Sequence, residues 1–206
     1  MSFFENTRKP EGFGGKIMVV MMNVGHSPVA RWGLRFLELA PDAKVLDCGC
    51  GGGANIRRLL KKCPHSFVMG IDYSPVCVEK SKKINQSAIA EGRCAVLQGS
   101  VGDMTFADNR FDAITAFETV YFWPDLPQCF REVYRVLKPG GTFLICNESN
   151  GDTDKDEKWT RLIGGMTIYK DTDLRAYLEQ VGFHEVQIHK KKSRLCVTAR
   201  KRGDQA

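Results

Sequence analysis

Short apolar runs alternate along this chain with segments in which apolar residues recur every three or four positions. A short apolar run is typical of a buried β-strand, and the wider spacing is typical of a helix that packs through one face. Apolar residues with helical spacing lie between the runs, for example at Ile56, Leu59 and Leu60. Strands joined by helices indicate a parallel sheet covered on both faces. The runs predict strands at residues 44–48, 67–72, 93–99, 111–118 and 142–147.

The alternation ends near the C-terminus, where two β-like runs follow one another without a helix. A helix that includes Leu174 and Leu178 ends at Gly182, and runs at residues 183–189 and 195–200 come next. Only about five residues connect them, whereas a parallel crossover needs a dozen or more. The two runs are therefore predicted to pair antiparallel as a hairpin.

Two further segments flank the alternating core, which spans residues 42–148. Residues 1–41 are predicted to form a helical cover, and residues 149–170, polar and acidic at first, are predicted to form a surface insertion or lid. Residues 171–201 hold the last helix and the hairpin. The 206 residues thus predict one α/β domain with a doubly wound, mostly parallel, seven-stranded sheet.

Composition narrows the class of protein without naming a function. The chain has 43% hydrophobic and 26% charged residues, a balance that excludes collagen-like and wholly disordered proteins. No apolar run approaches the ~20 residues of a membrane helix, and the first residues lack a secretory pattern, so we expect a cytoplasmic protein. The net charge of +6 comes partly from basic residues near the C-terminus, which a solvated hairpin explains more simply than nucleic acid binding does.

The eight cysteines are scattered along the chain rather than paired. Most lie among apolar residues of the predicted strands and helices, which favours free, buried thiols. Only Cys48 and Cys50 are close in sequence, and the Cys-x-x-Cys or Cys/His spacing of zinc sites is missing. The sequence therefore predicts no metal site.

A glycine-rich turn follows the first predicted strand. Gly49, Gly51 and Gly53 come directly after Asp47 and Cys48, where backbone N–H groups at the start of a helix are available to a ligand. Asp72 ends the next strand, and a carboxylate at that point can accept hydrogen bonds from both hydroxyls of a ribose. The residues predict a nucleotide-like cofactor. They leave a nicotinamide or flavin dinucleotide open, because the glycine spacing also fits that fingerprint.

Four segments in order resemble the class I S-adenosylmethionine-dependent methyltransferases, of the small type 11 kind. The matching segments are VLDCGCGGG, GIDYS, QGSVGDMTFADNRFDAITAFETV and REVYRVLKPGGTFLI. The resemblance covers about residues 42–200. It implies a Rossmann-like fold, S-adenosyl-L-methionine as the cofactor and methyl transfer as the reaction.

The resemblance also implies which residues hold the cofactor. Those placed around its amino acid moiety are Asp47, Gly49, Cys50, Gly51 and Gly53. Asp72 is implied for the ribose and Tyr73 for the adenine ring. Ser100 and Val101 align with the turn that reads the adenine edge, and Phe117 and Glu118 lie at the strand tip beneath the methionine. Many relatives have Asp where this chain has Ser100, so adenine recognition is expected from the Val101 backbone N–H or from Asp103.

Methyl transfer needs chiefly a nucleophile aligned with the methyl group, and a general base is optional. The candidate bases are His26, Glu118, Tyr121 and Tyr169. An aromatic run at residues 121–123 and the methionines Met18, Met21 and Met22 suit an apolar acceptor pocket or, equally, a packed core.

The sequence favours a small-molecule acceptor, because no added recognition domain and no DNA-methylating motif accompanies the fourth strand. Three alternatives stay open. They are an RNA or protein methyltransferase, a cofactor-binding module without catalysis, and an NAD-dependent oxidoreductase.

Overall fold

All seven predicted strands lie in one sheet. The structure is a computed structural model that describes residues 25–203. In chain order the strands are β1 Lys44–Cys48, β2 Phe67–Asp72, β3 Cys94–Gln98, β4 Phe111–Phe117, β5 Leu137–Asn147, β6 Phe183–Lys191 and β7 Arg194–Lys201.

The order of strands across the sheet is β3-β2-β1-β4-β5-β7-β6. The first five strands pair in parallel, and β7 pairs antiparallel with both β5 and β6. The predicted doubly wound sheet with a terminal antiparallel hairpin is therefore confirmed. The carboxyl ends of β1, β2, β4 and β5 share one edge, where such sheets bind ligands.

Helices cover both faces of the sheet. They are α1 Ser27–Gly33, α2 Ala54–Lys62, α3 Pro75–Ile84, α4 Gln86–Ala90, α5 Leu126–Val136, α6 Asp154–Leu162 and α7 Asp171–Val181. Alternate residues of each strand enter two different cores: Leu46 and Ile114 pack on the face of α5 and α7, and Val45 and Ala113 pack on the face of α1, α2 and α3. Among residues 25–203 no helix is both long and apolar enough to cross a membrane.

Three local features differ from the predicted elements. Ser74 and Pro75 predict a single helix that reaches about Glu91, but the helix breaks at Asn85, whose side-chain amide donates to the carbonyls of Ser81 and Gly53 at 2.9 and 3.1 Å. Strand β5 begins at Leu137 rather than at residue 142, with a register shift in its pairing to β4. The predicted insertion contains a helix of its own, α6, with a capping box at Thr153.

The structure describes only residues 25–41 of the predicted N-terminal cover. Within the described residues it consists of α1 and a 3-10 turn, Leu34–Phe36. Helix α1 packs on the sheet through Val29 and Gly33, and a Cβ on Gly33 would lie 2.4 Å from Cys146 Sγ. The methionines Met18, Met21 and Met22 lie outside the described residues.

Candidate functional site

The glycine turn, residues 49–53, is fixed to the end of β2 by backbone hydrogen bonds. Gly49 and Cys50 both donate their N–H groups to the carbonyl of Ile71, at 2.8 and 3.0 Å. Gly49 has φ +72°, and a Cβ there would lie 2.0 Å from Thr119 Oγ1. Gly51 has φ +50°, and nothing lies within 4 Å of the place where its Cβ would be. The turn is thus tightly packed at Gly49 and open at Gly51.

Asp72 holds the open part of this turn. Its Oδ2 accepts from the Gly51 N–H at 2.8 Å, and its Oδ1 accepts from the Ser74 N–H at 2.9 Å. Burial raises the pKa of Asp72, and the two N–H donors oppose that shift. Each carboxylate oxygen keeps a second lone pair, so Asp72 can support the turn and still accept from a hydroxyl of a ligand.

Asp47 is buried beneath the turn and only half satisfied. Its Oδ1 accepts from Thr115 Oγ1 at 2.7 Å, and its Oδ2 has no hydrogen-bond partner in the described part of the chain. Burial raises the pKa of Asp47 to about 7. A buried acceptor without a partner is rare in folded proteins, and a bound polar group is one explanation of it.

The residues expected around the adenine are at the β2 and β3 ends. Tyr73 is 40% exposed, and its carbonyl accepts from Gln98 Nε2 at 3.2 Å. Ser100 Oγ accepts from the Gly102 N–H at 3.2 Å, so the Ser100 hydroxyl stabilises its own turn. Val101 is buried and Asp103 is exposed. The sequence did not predict this hydrogen bond between Gln98 and Tyr73.

The tips of β4 and β5 bring together residues that are far apart in sequence. Glu118 has φ +57° and donates its N–H to the Cys146 carbonyl at 3.0 Å. Its Oε1 accepts from the Glu148 N–H at 2.5 Å. His26 lies next to this pair without capping α1, and one donor atom from each of the three side chains lies within 4.8 Å of the others. We call His26, Glu118 and Glu148 the strand-tip cluster.

Burial shifts the pKa values of Glu118 and His26 in opposite directions. The pKa of Glu118 is well above its usual range because of burial and, second, because of the neighbouring Glu148. Burial lowers the pKa of His26, and Glu148 opposes that shift. Sequence reasoning found His26 and Glu118 but missed Glu148, whose only signal is a charged residue directly after a buried strand.

The remaining candidates occupy different surroundings. The Tyr121 hydroxyl accepts from the Ser149 N–H at 3.0 Å, and burial raises its pKa well above the usual range. The Tyr169 ring meets Tyr177 edge-on at 6.3 Å, and no described contact joins it to the strand-tip cluster. Phe117 is buried on the face of α1. Trp123 is 8% exposed and stacks on Phe143, so this part of the aromatic run belongs to the core.

Comparison with known proteins identifies the domain. Residues 46–145, which include the glycine turn and β4, match the family model of a methyltransferase domain. Nearly half of the chain thus matches a methyltransferase domain. The predicted resemblance is confirmed, and the cofactor of this class is S-adenosylmethionine.

A curated relative and two solved structures show how far the likeness extends. Cycloartenol-C-24-methyltransferase 1 of Oryza sativa subsp. japonica is 38% identical over 109 residues, which are 53% of this chain and 31% of that protein. A chain of the complex between the Haloferax volcanii Trm112 methyltransferase activator and the putative methyltransferase has TM-score 0.81 and 20% identity, covering 91% of this chain and 95% of that one.

The second structure is Haemonchus contortus phosphoethanolamine N-methyltransferase 2 in complex with phosphomonomethylethanolamine and S-adenosylhomocysteine. It has TM-score 0.80 and 15% identity, and the match covers 98% of this chain and 61% of that one. These structures share the fold of the methyltransferase domain. The chain spans about a third of the length of the curated relatives that it matches.

The residues of the methyltransferase domain fit this cofactor. The unpartnered Oδ2 of Asp47 offers a buried acceptor for an ammonium group, and the open space at Gly51 leaves room for a ligand beside the backbone. Asp72 retains acceptor capacity for ribose hydroxyls. When bound, S-adenosylmethionine supplies a methyl group activated by a sulfonium. The individual role of every predicted cofactor-binding residue, from Asp47 to Glu118, stays a prediction.

Proposed function

We propose that this chain transfers a methyl group from S-adenosylmethionine to a small-molecule acceptor by in-line displacement. The acceptor atom supplies an electron pair to the methyl carbon, the carbon–sulfur bond breaks, and S-adenosylhomocysteine leaves. The observation that carries the proposal is the buried Asp47 Oδ2, which accepts no hydrogen bond from the described residues. It lies below the glycine turn, which Asp72 holds in place. Alignment of the two reactants supplies most of the acceleration in such a displacement.

Two observations support a small molecule rather than RNA or protein. Curated relatives matched over half of this chain are named as sterol methyltransferases, so sterols are the first acceptors to test. The Lys190 ammonium lies 3.0 Å from carboxylate oxygens of both Asp152 and Asp171. This lysine of the basic hairpin is therefore engaged within the protein and is a poor candidate for a phosphate contact.

The test is transfer of labelled methyl from S-adenosylmethionine into a host-cell extract, separated into lipid, polar small-molecule, RNA and protein fractions. We expect label in one of the two small-molecule fractions. Label in RNA or protein would instead support a macromolecular acceptor. Cofactor binding without transfer to any fraction would favour the non-catalytic module.

The matched variants are Asp72→Ala and Asp112→Ala. Removal of Asp72 should weaken S-adenosylhomocysteine binding by roughly 1.5–3 kcal/mol, the cost of losing a hydrogen-bonded charged group. Asp112 lies at the start of β4, where it binds Lys138 and the Lys44 N–H, and its removal should leave that affinity unchanged. Calorimetric titration with S-adenosylhomocysteine and with NADH gives the answer, and tight binding of NADH alone would contradict the proposal.

A further inference from the structure

The strand-tip cluster is assembled from three separate parts of the fold. His26 precedes α1, Glu118 follows β4 and Glu148 follows β5. One imidazole nitrogen and one oxygen from each carboxylate lie within 4.8 Å of one another. Ligand atoms bound at about 2.1 Å to a metal ion lie roughly 3–3.5 Å apart. Small side-chain movements would therefore bring all three donors onto one ion.

The backbone holds these three groups in place. The Glu118 N–H donates to Cys146, and the Glu148 N–H donates to the Glu118 carboxylate, so the ends of β4 and β5 are tied to each other. Helix α1 is anchored to β5 by the hydrogen bond from Cys146 Sγ to the Val29 carbonyl at 3.5 Å. Donors on rigid elements bind metal more effectively than donors on loops.

The charges of the cluster favour a cation. Two carboxylates lie close together and partly buried, an arrangement that costs free energy unless something compensates the charge. Among residues 25–203 neither carboxylate forms an ion pair with lysine or arginine, although Arg194 acts on Glu118 electrostatically from β7. The cluster thus brings together two carboxyl groups and an imidazole without a direct lysine or arginine partner among the described residues.

A separate observation marks the same strand end as incomplete. Asn147, directly before Glu148, is fully buried, and both polar atoms of its side chain have no hydrogen-bond partner in the described chain. Buried amides are nearly always paired with protein groups, ordered water or a ligand. An ordered water or another polar species at the end of β5 would account for it.

We infer that His26, Glu118 and Glu148 form a binding site for one divalent transition-metal ion. One imidazole and two carboxylates are the mixed nitrogen and oxygen donor set that Mn²⁺, Fe²⁺ and Zn²⁺ accept. Three protein ligands leave coordination positions open, as in metal sites that also bind water or substrate. The sequence predicted no metal because the three ligands are separated by 92 and 30 positions and have none of the local spacing of zinc motifs.

The location suggests a role for the ion. The cluster lies at the sheet edge that also carries the glycine turn, and Thr119, next to Glu118, is adjacent to Gly49. An open coordination position there suits an oxygen of the methyl acceptor, which the ion would orient and make easier to deprotonate. This role rests on the proposed function, whereas ion binding itself does not.

The test is direct titration of the chelator-treated full chain with Mn²⁺, followed by electron paramagnetic resonance, and with Zn²⁺ in competition. We expect one saturable site, with ¹⁴N coupling to Mn²⁺ that His26→Ala removes. Glu148→Gln and Glu118→Gln should each weaken Mn²⁺ binding by about tenfold or more. The matched control is Glu157→Gln, in the exposed acidic run of α6, which should leave binding unchanged.

Binding of S-adenosylhomocysteine separates this inference from the proposed function. Glu148→Gln should retain S-adenosylhomocysteine binding and bind Mn²⁺ about tenfold more weakly or worse, while Asp72→Ala should weaken S-adenosylhomocysteine binding and retain Mn²⁺ binding. Glu148→Gln also keeps the inference testable if Glu118→Gln fails to fold, since Glu118 accepts a backbone hydrogen bond. The inference is overturned if neither Mn²⁺ nor Zn²⁺ binds saturably, if a folded Glu148→Gln binds Mn²⁺ as tightly as the wild type, or if binding is lost in Glu157→Gln instead.

Discussion

The glycine turn and the strand-tip cluster lie at the same edge of the sheet but are built in different ways. The turn is contiguous in sequence, and its conformation is fixed by N–H donation to Ile71 and Asp72. The cluster joins residues 26, 118 and 148, which only the completed sheet brings together. A candidate cofactor site can therefore be predicted from one segment, whereas the strand-tip cluster forms only through long-range packing.

The two regions also satisfy their carboxylates differently. In the turn, Asp72 has a backbone N–H donor on each oxygen. In the cluster, a backbone N–H reaches Glu118 but no hydrogen bond reaches the Glu148 carboxylate within the described residues. Asp72 thus has a protein donor on each oxygen, whereas the Glu148 carboxylate depends on what binds to it.

The largest expected effect comes from the point where the two regions touch. In Gly49→Ala the new Cβ would lie 2.0 Å from Thr119 Oγ1 and 2.7 Å from Thr119 Cβ, at a positive φ. Strain and overpacking together should lower the free energy of unfolding by roughly 2–5 kcal/mol. Urea unfolding monitored by circular dichroism measures this loss.

Gly51→Ala is the matched control, because it shares the positive φ but meets no atom within 4 Å. It should cost only about 1–2 kcal/mol of the free energy of unfolding, from backbone strain alone. Equal losses in the two variants would mean that the contact between the glycine turn and the β4 tip is not tightly packed.

The fold was predictable from sequence because its determinants are local. Apolar runs predicted every strand, and a connection of about five residues was enough to predict the antiparallel hairpin. The break at Asn85 was not predictable, since it depends on a side chain that reaches the carbonyl of Gly53. The early start of β5 depends likewise on pairing with β4 across the sheet.

The site was predictable only in part. Asp47, Asp72 and the glycines lie at two neighbouring strand ends, where Asp72 accepts a hydrogen bond from the Gly51 N–H that the sequence did not predict. Trp123 could equally have lined a pocket or packed in the core, and only its stacking on Phe143 distinguishes the two. The place of Glu148 in the cluster was not predictable from sequence, because it depends on Glu118 and His26. Neither of these residues is near Glu148 in sequence.

A smaller effect is expected from Asp47→Asn, and it should depend on pH. The pKa of Asp47 is about 7 in the folded protein against 3.8 for the ordinary group. The folded state therefore binds a proton on the Asp47 carboxyl more tightly than the unfolded state does. The free energy of unfolding that this proton contributes is lost as pH rises from 3.8, the pKa of the unfolded group, through about 7. The loss is at most about 1.4 kcal/mol per pH unit.

The asparagine variant lacks this titration. Between pH 5 and pH 7.5 the free energy of unfolding of the variant, relative to that of the wild type, should rise by roughly 1–3 kcal/mol. The variant should nevertheless bind S-adenosylhomocysteine more weakly than the wild type does. Urea unfolding at the two pH values measures the difference. A difference that does not change with pH would mean that Asp47 titrates normally and that the turn is not built over a strained carboxylate.

The smallest effects are expected from substitutions of the lysines in the C-terminal hairpin. These substitutions test whether the methyl acceptor is a small molecule or a polyanion. Lys190 bridges Asp152 and Asp171, and these carboxylates raise the pKa of Lys190. Both pairs are solvent-exposed, so Lys190→Gln should lower the free energy of unfolding by less than about 1 kcal/mol.

Reversing the charge of Lys190, Lys191 and Lys192 together should leave methyl transfer unchanged at low and at high salt. Since contacts with phosphates weaken steeply as salt rises, a loss of activity that follows salt concentration would point to a polyanionic acceptor, and the basic hairpin would then belong to the functional surface.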